Sequence, residues 1–434
     1  MADEQKVVSP RDFMKMPFWF KGLNRAWQAS YPLGTRIRLD KDSLIKDARK
    51  SSGLDDLGKD FWDEPLDRML WSINNEANLH PIGIFISKER IVNLLANRIR
   101  AEYYFKKYPE ILDQEVYPVW MIAGLQRTGT TKLQRLLNAD PDNRVLASWE
   151  AINPAPFQGD EHGNKKRIAK ARLSEKALKF MAPGFFAIHP VEHLAPEEDI
   201  LLLDIAFMST TAEATMHGPA YASWLEKTDQ TYAYQYAAKL MKLLQWQKPA
   251  KRWILKSPHH LEFLHLADKV FDQVDFIWTH RDPVVSIPSF LSMMSHSWAL
   301  FSNDVSLEKV AEHWVRKSTF ILNKGIEFRA TGGKKFIDIH YEELVGDAGN
   351  ALSNIYGADG GIDAGLMERF MNAERENPPR KYGVHQYSLE AFGLSKEDIE
   401  SRIRPYREFM AGNNTKKPHP PRPLSPESKE EPWE

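Results

Sequence analysis

VWMIAGLQRTGTTKL, residues Val119–Leu133, is the most informative stretch of this chain. Its first five residues are apolar and predict a buried strand, the next segment is bracketed by Gly124 and Gly129, and a helical pattern follows. The N-terminus of a helix has unpaired backbone N–H groups and partial positive charge, so a turn of this kind holds an anion. The stretch therefore predicts an anion-binding loop at the end of a strand.

The side chains of this loop also suit an anion. Gly124 and Gly129 let the backbone approach it closely, and Arg127 adds a fixed positive charge. Hydroxyl donors come from Thr128, Thr130 and Thr131. The spacing is similar to the nucleotide-triphosphate loop Gly-x4-Gly-Lys-[Ser/Thr], but Thr130 stands where that loop has its lysine. This difference argues against an ATPase or a kinase and favours a related anion with different chemistry.

A second anion site is predicted after the apolar strand Asp275–Thr279. Arg281 follows the carboxyl end of this strand, which is where ligands bind in open α/β sheets. Ser289 comes eight residues later on a predicted helix, and two helical turns bring its hydroxyl back towards the anion at Arg281. Two anion sites at two strand ends suit a nucleotide that carries phosphates at both ends.

The remaining pattern predicts an α/β fold. Short continuous apolar runs, typical of strands buried on both faces, alternate with helical patterns. Further strands are predicted at Arg144–Ser148, Trp253–Leu255 and Phe336–Ile339, and long helices at Tyr232–Trp246 and Leu307–Phe328. We therefore expect a P-loop-like, three-layer fold with a central parallel sheet flanked by helices.

Differences in composition and hydrophobic pattern divide the chain into three parts. Residues 1–115 have amphipathic helical patterns, as in Ile84–Tyr104, and are expected to form a helical N-terminal extension packed on the core. The α/β domain is expected at residues 116–412, with an insertion at about 155–221 that could cover a pocket. Residues 413–434 are rich in proline and charge, and they are predicted to be a flexible tail.

Composition excludes several classes of protein. The 434 residues include 58 Lys and Arg against 59 Asp and Glu, a net charge of −1, which does not indicate a nucleic-acid-binding protein. The absence of cysteine excludes disulfides, cysteine zinc sites and a cysteine nucleophile. No apolar run approaches the roughly 20 residues of a transmembrane helix, and no signal-peptide pattern is visible. We expect a soluble, cytoplasmic protein, and its oligomeric state stays open.

At four points the sequence resembles the sulfotransferases that use 3′-phosphoadenosine 5′-phosphosulfate (PAPS). Gln126–Thr131 is similar to the Pro-[Lys/Arg]-Ser-Gly-Thr-Thr loop of that family, and the arginine and serine of the second anion site match its second motif. Trp253–Pro258 resembles the Leu-Lys-x-Pro strand end of the bacterial and tyrosylprotein branches. Ile339–Val345 resembles their Tyr-Glu-x-Leu-Val segment. The resemblance covers about residues 118–410.

This resemblance implies a role for each motif. The loop from Gly124 to Thr131 would hold the 5′-phosphosulfate, and Arg281 with Ser289 would hold the 3′-phosphate. Arg127 and Lys256 would stabilise the charge that develops as the sulfuryl group is transferred. The reaction requires no metal, because the leaving group is a phosphate already held by the loop. No metal site is predicted, because the histidines are scattered along the chain.

The set of residues expected to bind the nucleotide differs from the family pattern at one position. Tyr341, in the fourth segment, corresponds to a tyrosine that lies near the nucleotide. The tyrosylprotein branch has a second arginine four residues after the serine, where this chain has Met293. The remaining contact to the 3′-phosphate is therefore expected from Arg380, Lys381 or His385.

An acceptor hydroxyl needs a general base within hydrogen-bond reach. Glu150 is the first candidate, because the tyrosylprotein branch has its catalytic glutamate in a comparable place. His259 and His260 are the alternatives, because cytosolic sulfotransferases use a histidine. His189 and His193 in the insertion are weaker candidates.

The acceptor is expected to be a small or lipid-like alcohol rather than a glycan. This follows if the aromatic residues of the insertion and its surroundings form an apolar wall, namely Phe185, Phe186, Trp149, Phe207, Tyr221 and Trp224. Two other functions stay open. One is a P-loop kinase or nucleotidase that uses ATP, which the missing loop lysine disfavours. The other is a non-catalytic nucleotide-binding protein of the same fold.

Overall fold

Five parallel strands form a single sheet in the computed structural model, which describes residues 16–59, 61–161, 163–357, 361–376 and 388–413. The strands are β1 (Val119–Ala123), β2 (Asn143–Val145), β3 (Arg252–Lys256), β4 (Val274–His280) and β5 (Phe336–His340). Their order across the sheet is β2-β3-β1-β4-β5. The predicted parallel α/β sheet is therefore confirmed, and β1 lies at its centre.

Four of the five predicted strands match observed strands, and the fifth prediction is wrong in part. The strand predicted at Arg144–Ser148 ends at Val145, and a short helix begins at Ser148. The short apolar run is the reason, because Val145 and Leu146 are both buried although only Val145 belongs to the strand, and periodicity cannot locate the end of so short a strand.

Helices cover both faces of the sheet. Before the sheet lie α1 (Phe18–Ala29), α2 (Lys41–Ser52), α3 (Asp63–Asn75) and α4 (Pro81–Lys107). Between β1 and β3 lie α5 (Thr130–Leu137), α6 (Ser148–Ile152), α7 (Lys165–Met181), α8 (Pro183–Ile188), α9 (Ile200–Leu203), α10 (Thr211–Thr215), α11 (Pro219–Lys227) and α12 (Thr231–Gln247). The later helices are α13 (Leu264–Val270), α14 (Pro283–Phe301), α15 (Leu307–Ala330), α16 (Tyr341–Gly346), α17 (Ala348–Tyr356), α18 (Ala364–Glu376), α19 (Lys396–Arg402) and α20 (Arg404–Asn413).

The side chains of β1 show why the fold has three layers. Trp120 and Ile122 belong to an apolar cluster with helices α5, α16, α17 and α18. Met121 and Ala123 belong to a larger cluster that includes the N-terminal helices with α12, α14 and α15. Successive strand residues point to opposite faces, so a strand that is buried on both faces requires a layer of helices on each side.

The strand order creates a cleft at the carboxyl edge of β1. The chain builds β2 and β3 on one side of β1 and then crosses to place β4 and β5 on the other side. Ile122 is paired with Lys256 of β3, and Ala123 with Trp278 of β4. Ligands of open α/β sheets bind where the strand order reverses in this way. The loop after β1 is therefore flanked by the ends of β3 and β4.

Helix α14 is long and apolar enough to cross a membrane, but 89% of its most apolar 18 residues are buried inside the molecule. Its side chains contribute to the larger apolar cluster. The helix is accordingly part of the core, and it carries Ser289 towards the loop after β1.

Candidate active site

The loop after β1 has a backbone that only glycine fits at its two ends. Gly124 has φ of +150°, and a Cβ added to it would lie 2.3 Å from the hydroxyl of Thr279. Gly129 has φ of +93°, and its added Cβ would lie 3.0 Å from Leu344 and 3.2 Å from the ring of Tyr341. The helix α5 begins directly after Gly129, so its first N–H groups border the loop.

Arg127 joins the two predicted anion sites. Its Nε donates a hydrogen bond to the hydroxyl of Ser289 at 3.1 Å. Its backbone carbonyl accepts a hydrogen bond from the guanidinium of Arg281 at 2.8 Å. The loop of β1, the helix α14 and the end of β4 therefore meet at this residue.

Tyr341 lies against Arg281, and the sheet register explains why. His280 and His340 are paired at the ends of β4 and β5, which brings the next residue of each strand to the same edge. The guanidinium of Arg281 lies 3.9 Å from the centre of the Tyr341 ring. The aromatic face thus orients the cation at the site of the second predicted anion.

The three loop threonines have different environments. Thr128 is buried, and its hydroxyl contacts that of Thr279 at 2.7 Å and donates to the carbonyl of Leu125 at 2.6 Å. These contacts hold the loop closed on the end of β4. Thr130 is buried and Thr131 is exposed, and both belong to the first turn of α5, where an anion would meet backbone N–H groups.

Lys256, at the end of β3, is held by the acidic part of the insertion. Its ammonium pairs with Glu198 at 2.8 Å, and its backbone N–H donates to Asp199 at 2.8 Å. The hydroxyl of Ser257 donates to the second oxygen of Glu198 at 3.3 Å. Sequence reasoning missed Glu198, although Pro196–Asp199 stands out as a run with three consecutive acidic residues.

His189 lies in the electrostatic field of the same groups. Burial lowers the pKa of His189 to about 4, the carboxylate of Glu198 opposes this shift, and the cations Lys256 and Arg127 add to it. The imidazole is consequently neutral near pH 7. The insertion therefore brings a neutral histidine to the charged residues of the loop and of β3.

Glu150 is occupied by other contacts. One carboxylate oxygen accepts from Arg144 at 2.8 Å, and the other accepts from the backbone N–H of Ala147 at 3.1 Å. Arg144 itself lies over the Trp253 ring at 4.3 Å. Glu150 is buried with these partners, and its predicted role as the base stays a prediction.

The other candidate bases are also held in networks. His260 contacts Asp199 at 2.6 Å and Tyr234 at 2.9 Å through its two ring nitrogens. His259 contacts Gln230 at 3.2 Å, and burial lowers its pKa well below the usual value. The ring of His193 contacts Glu175 at 2.5 Å, which ties a later part of the insertion to helix α7.

The aromatic residues expected to line an acceptor pocket are distributed differently. Phe207 and Tyr221 are fully buried, and the Tyr221 hydroxyl donates to the carbonyl of Phe207 at 2.7 Å. These two therefore belong to the core. A polar cleft of about 550 Å³ lies instead between α5, the insertion and α18, and its lining includes Arg135, Glu192 and Glu376.

Some predictions fall on residues that the structure does not describe. Arg380, Lys381, His385 and residues 414–434 of the predicted tail lie outside the described ranges. Within those ranges, no group of three or more His, Cys, Asp and Glu side chains is arranged to hold a metal ion.

The fold and this loop define a P-loop-like α/β protein with cationic side chains at three adjacent strand ends. The chain belongs to the sulfotransferase family, whose sequence model matches residues 118–360, more than half of its length. The resemblance drawn from the four motifs is therefore confirmed. A search of curated protein sequences found no significant match.

Two solved structures have the same fold. Sulfotransferase STF1 from Mycobacterium tuberculosis H37Rv is 27% identical, with a TM-score of 0.74 over 84% of this chain and 98% of that chain. Sulfotransferase STF9 from Mycobacterium avium is 23% identical, with a TM-score of 0.77 over 86% of this chain and 97% of that chain. The alignments cover nearly all of both neighbours, and both neighbours are bacterial enzymes.

Proposed function

We propose that this sulfotransferase moves a sulfuryl group from PAPS to a hydroxyl of a small or lipid-like acceptor in the cytoplasm. The proposal depends on the contacts of Arg127. Its side chain forms a hydrogen bond with Ser289, and its backbone carbonyl forms one with Arg281. A nucleotide with phosphates at both ends needs two anion sites within one molecule's reach. The direct contacts among these three residues support the proposal.

The residues of the cleft fit such a nucleotide. A Cβ at Gly124 would collide with Thr279, so glycine at this point lets the loop pack closely against the end of β4. Arg127 and Lys256 supply fixed positive charge, and the first turn of α5 supplies N–H donors. Arg281, oriented by Tyr341, and Ser289 supply the donors for the 3′-phosphate.

The chemistry is a substitution at sulfur. The acceptor oxygen forms a bond to sulfur, the bond from sulfur to the bridging phosphate oxygen breaks, and the acceptor proton must leave. Arg127 and Lys256 stabilise the negative charge that grows on the leaving phosphate. Glu198 keeps the Lys256 ammonium at the end of β3 until the nucleotide competes for it.

We infer that His189 receives the acceptor proton. It is neutral near pH 7, and it lies in the field of Arg127 and Lys256. Bound phosphates would neutralise these two cations, which would raise the pKa of His189 towards the value that suits a general base. Glu150 is the alternative that the sequence proposes, and its contacts with Arg144 and Ala147 favour a structural role.

Two measurements test this function. Calorimetry with 3′,5′-adenosine bisphosphate should give magnesium-independent binding that weakens at least about tenfold in Ser289→Ala. Labelled PAPS and a panel of alcohols, phenols and lipid alcohols should give sulfated product, with loss of about 100-fold or more in Arg127→Ala. Arg68→Ala is the matched control, because Arg68 is an exposed arginine paired only with Glu64 in the described contacts. Turnover of ATP in place of PAPS would support the kinase or nucleotidase reading and contradict the proposal.

The identity of the base is tested by a pair of variants. His189→Asn should lower turnover about 100- to 10,000-fold with little change in nucleotide affinity, whereas Glu150→Gln should keep turnover near normal. In the wild type, NMR titration should show the pKa of His189 rising when the bisphosphate binds. A large loss of turnover in Glu150→Gln, with near-normal turnover in His189→Asn, would indicate that Glu150 is the general base.

A further inference from the structure

Helix α7, in the insertion, has an outer face that is basic. Its exposed cations are Lys165, Lys166, Arg172, Lys176 and Lys179. The only acidic residue in α7, all of whose residues are described, is Glu175, which is largely buried and pairs with Lys179 and His193. The net charge of the whole chain is only −1, so this positive surface is local to the helix.

The same face of α7 carries large apolar side chains that water reaches. Leu173 is 67% exposed and Phe180 is 68% exposed. Residues 169, 173, 177 and 180 follow each other at helical spacing, and those four positions are Ala, Leu, Ala and Phe. An apolar stripe bordered by lysine and arginine is the pattern of a helix that lies in a membrane interface.

Helix α1 continues this surface. The rings of Trp19 and Phe180 stack with their centres 4.7 Å apart, which joins the start of α1 to the end of α7. Phe18, next to Trp19, is 88% exposed, and Leu23 is also exposed. Helix α1 has no acidic residue and carries Lys21 and Arg25. Two adjacent helices therefore expose aromatic and aliphatic groups among cations.

We propose that this α1/α7 face docks on an anionic membrane surface. The lysine and arginine side chains would pair with lipid phosphates, while Leu173, Phe180 and Phe18 enter the boundary between headgroups and acyl chains. Charge complementarity favours this partner, because neither helix has an exposed Asp or Glu side chain over its described length. Scattered single apolar side chains need no partner, but here Phe180 of α7 lies against Trp19 of α1, so exposed apolar groups of the two helices adjoin at this contact.

The position of the face relates it to the reaction. The chain runs from Phe180 through the short helix α8 directly to His189, which lies in the field of Lys256 and Arg127. Helix α8 also contacts α14, which carries Ser289. A protein seated on a bilayer through α7 would hold the insertion next to lipid alcohols. The suggested benefit of docking, access to lipid alcohols, rests on the proposed function. The docking itself does not depend on catalysis.

The test is flotation of the full chain with vesicles in the absence of nucleotide. Vesicles of phosphatidylcholine with about one third phosphatidylglycerol should bind the protein at least about tenfold more tightly than pure phosphatidylcholine, and added salt should weaken the binding. The charge variant Lys166→Glu/Arg172→Glu/Lys176→Glu should lose this binding at least about tenfold. The control Lys46→Glu/Lys50→Glu, on the exposed side of α2, should not.

A second variant separates a membrane from other polyanions. Leu173→Ser/Phe180→Ser should weaken vesicle binding about tenfold or more, whereas Leu112→Ser, at an exposed leucine outside the face, should not. All variants should retain wild-type thermal unfolding and bisphosphate binding. Absence of vesicle binding at low salt, or binding that needs the cations but ignores Leu173 and Phe180, would overturn the proposal. The second result would instead indicate an acidic protein or a nucleic acid.

This experiment fails separately from the proposed function. Sulfate transfer to a water-soluble alcohol reports on the reaction alone, and flotation reports on the face alone. Vesicle binding without transfer would leave the docking proposal standing and remove the enzymatic one. Sulfate transfer without vesicle binding would support the proposed function and remove the docking proposal.

Discussion

Arg127 has a left-handed backbone, with φ of +67°, in a loop whose neighbours at Gly124 and Gly129 also have positive φ. A residue with a side chain costs about 1 kcal/mol or more in this conformation, and such strain is found where a ligand must be approached closely. Here the strained turn aims the Arg127 side chain at Ser289 and its carbonyl at Arg281. The loop is therefore organised before a nucleotide binds.

Substitution of Gly124 by alanine tests this organisation. The added methyl group would lie 2.3 Å from the hydroxyl and 2.7 Å from the carbonyl oxygen of Thr279, at a φ that alanine rarely adopts. The loop must then shift at a cost of about 1–3 kcal/mol. We expect bisphosphate affinity to fall about tenfold or more, measured by calorimetry. Gly333→Ala, where an added Cβ meets nothing within 4 Å, should match the wild type, and equal affinity in both variants would contradict the expectation.

Single residues also show where sequence reasoning stops. The contacts of Arg281 with the loop and with Tyr341 follow from parallel strand ends, so the motifs located them. Glu198 and His189 lie in an irregular insertion, far in sequence from Lys256 and Arg127. Sequence periodicity does not predict where such a segment packs on the sheet. Only the tertiary structure brings these residues to the site.

Helix α4 illustrates the same limit at the scale of an element. Its helical pattern was readable from Ile84–Tyr104, and the helix extends over Pro81–Lys107. The pattern predicts one buried face, yet every residue from Leu94 to Ala101 is buried, and Arg98 is among them. Its Nε donates to the carbonyl of Leu57 at 2.7 Å, and its guanidinium lies 4.2 Å from the centre of the Tyr236 ring. Neighbouring elements supply these two contacts, one to Nε and one to the face of the guanidinium.

The start of α4 should make stability depend on pH. His80 is buried, its Nδ1 accepts a hydrogen bond from the N–H of Gly83, and burial lowers its pKa from 6.5 to about 4. Between these two values the unfolded chain binds the proton and the folded chain does not, so stability falls as pH falls. We expect a loss of about 2 kcal/mol from this residue between pH 7 and pH 5.

Urea unfolding of the wild type and of His80→Asn measures this contribution. Asparagine can accept the same N–H bond, but it does not titrate. The variant should therefore lose about 2 kcal/mol less than the wild type on acidification. Other buried histidines act equally on both proteins, so the difference isolates His80. Parallel curves for the two proteins over this pH range would contradict the assigned pKa.

At the scale of the whole molecule, the N-terminal helices and the α/β part share one apolar cluster. It extends from Phe20 of α1 through Leu44 and Leu95 to Trp278 of β4 and Tyr406 of α20. Asn97 of α4 also donates to the carbonyl of Ile152 at 3.1 Å. Residues 1–115 were predicted as an extension packed on the core, and these contacts make independent folding of either part unfavourable.

Calorimetry tests this coupling. The intact protein should unfold in one transition whose calorimetric and van't Hoff enthalpies agree, because removal of either part exposes apolar side chains of the shared cluster. Deletion of residues 1–107 should abolish that transition. Deletion of residues 414–434, in the predicted tail, should shift the midpoint little. Two resolved transitions in the intact protein would mean that the N-terminal helices form a separate folding unit.

The amino-acid sequence by itself determined the parallel α/β class, the loop after β1, the second cation at the end of β4 and the sulfotransferase family. These are local patterns, because an apolar run, a glycine at positive φ and a helix start are each encoded within a few adjacent residues. Only the tertiary structure decided that Lys256 pairs with Glu198, that His189 lies in the field of Lys256 and Arg127, and that Trp19 of α1 stacks on Phe180 of α7. Those arrangements depend on how distant segments pack, and packing is set by the whole core rather than by any single segment.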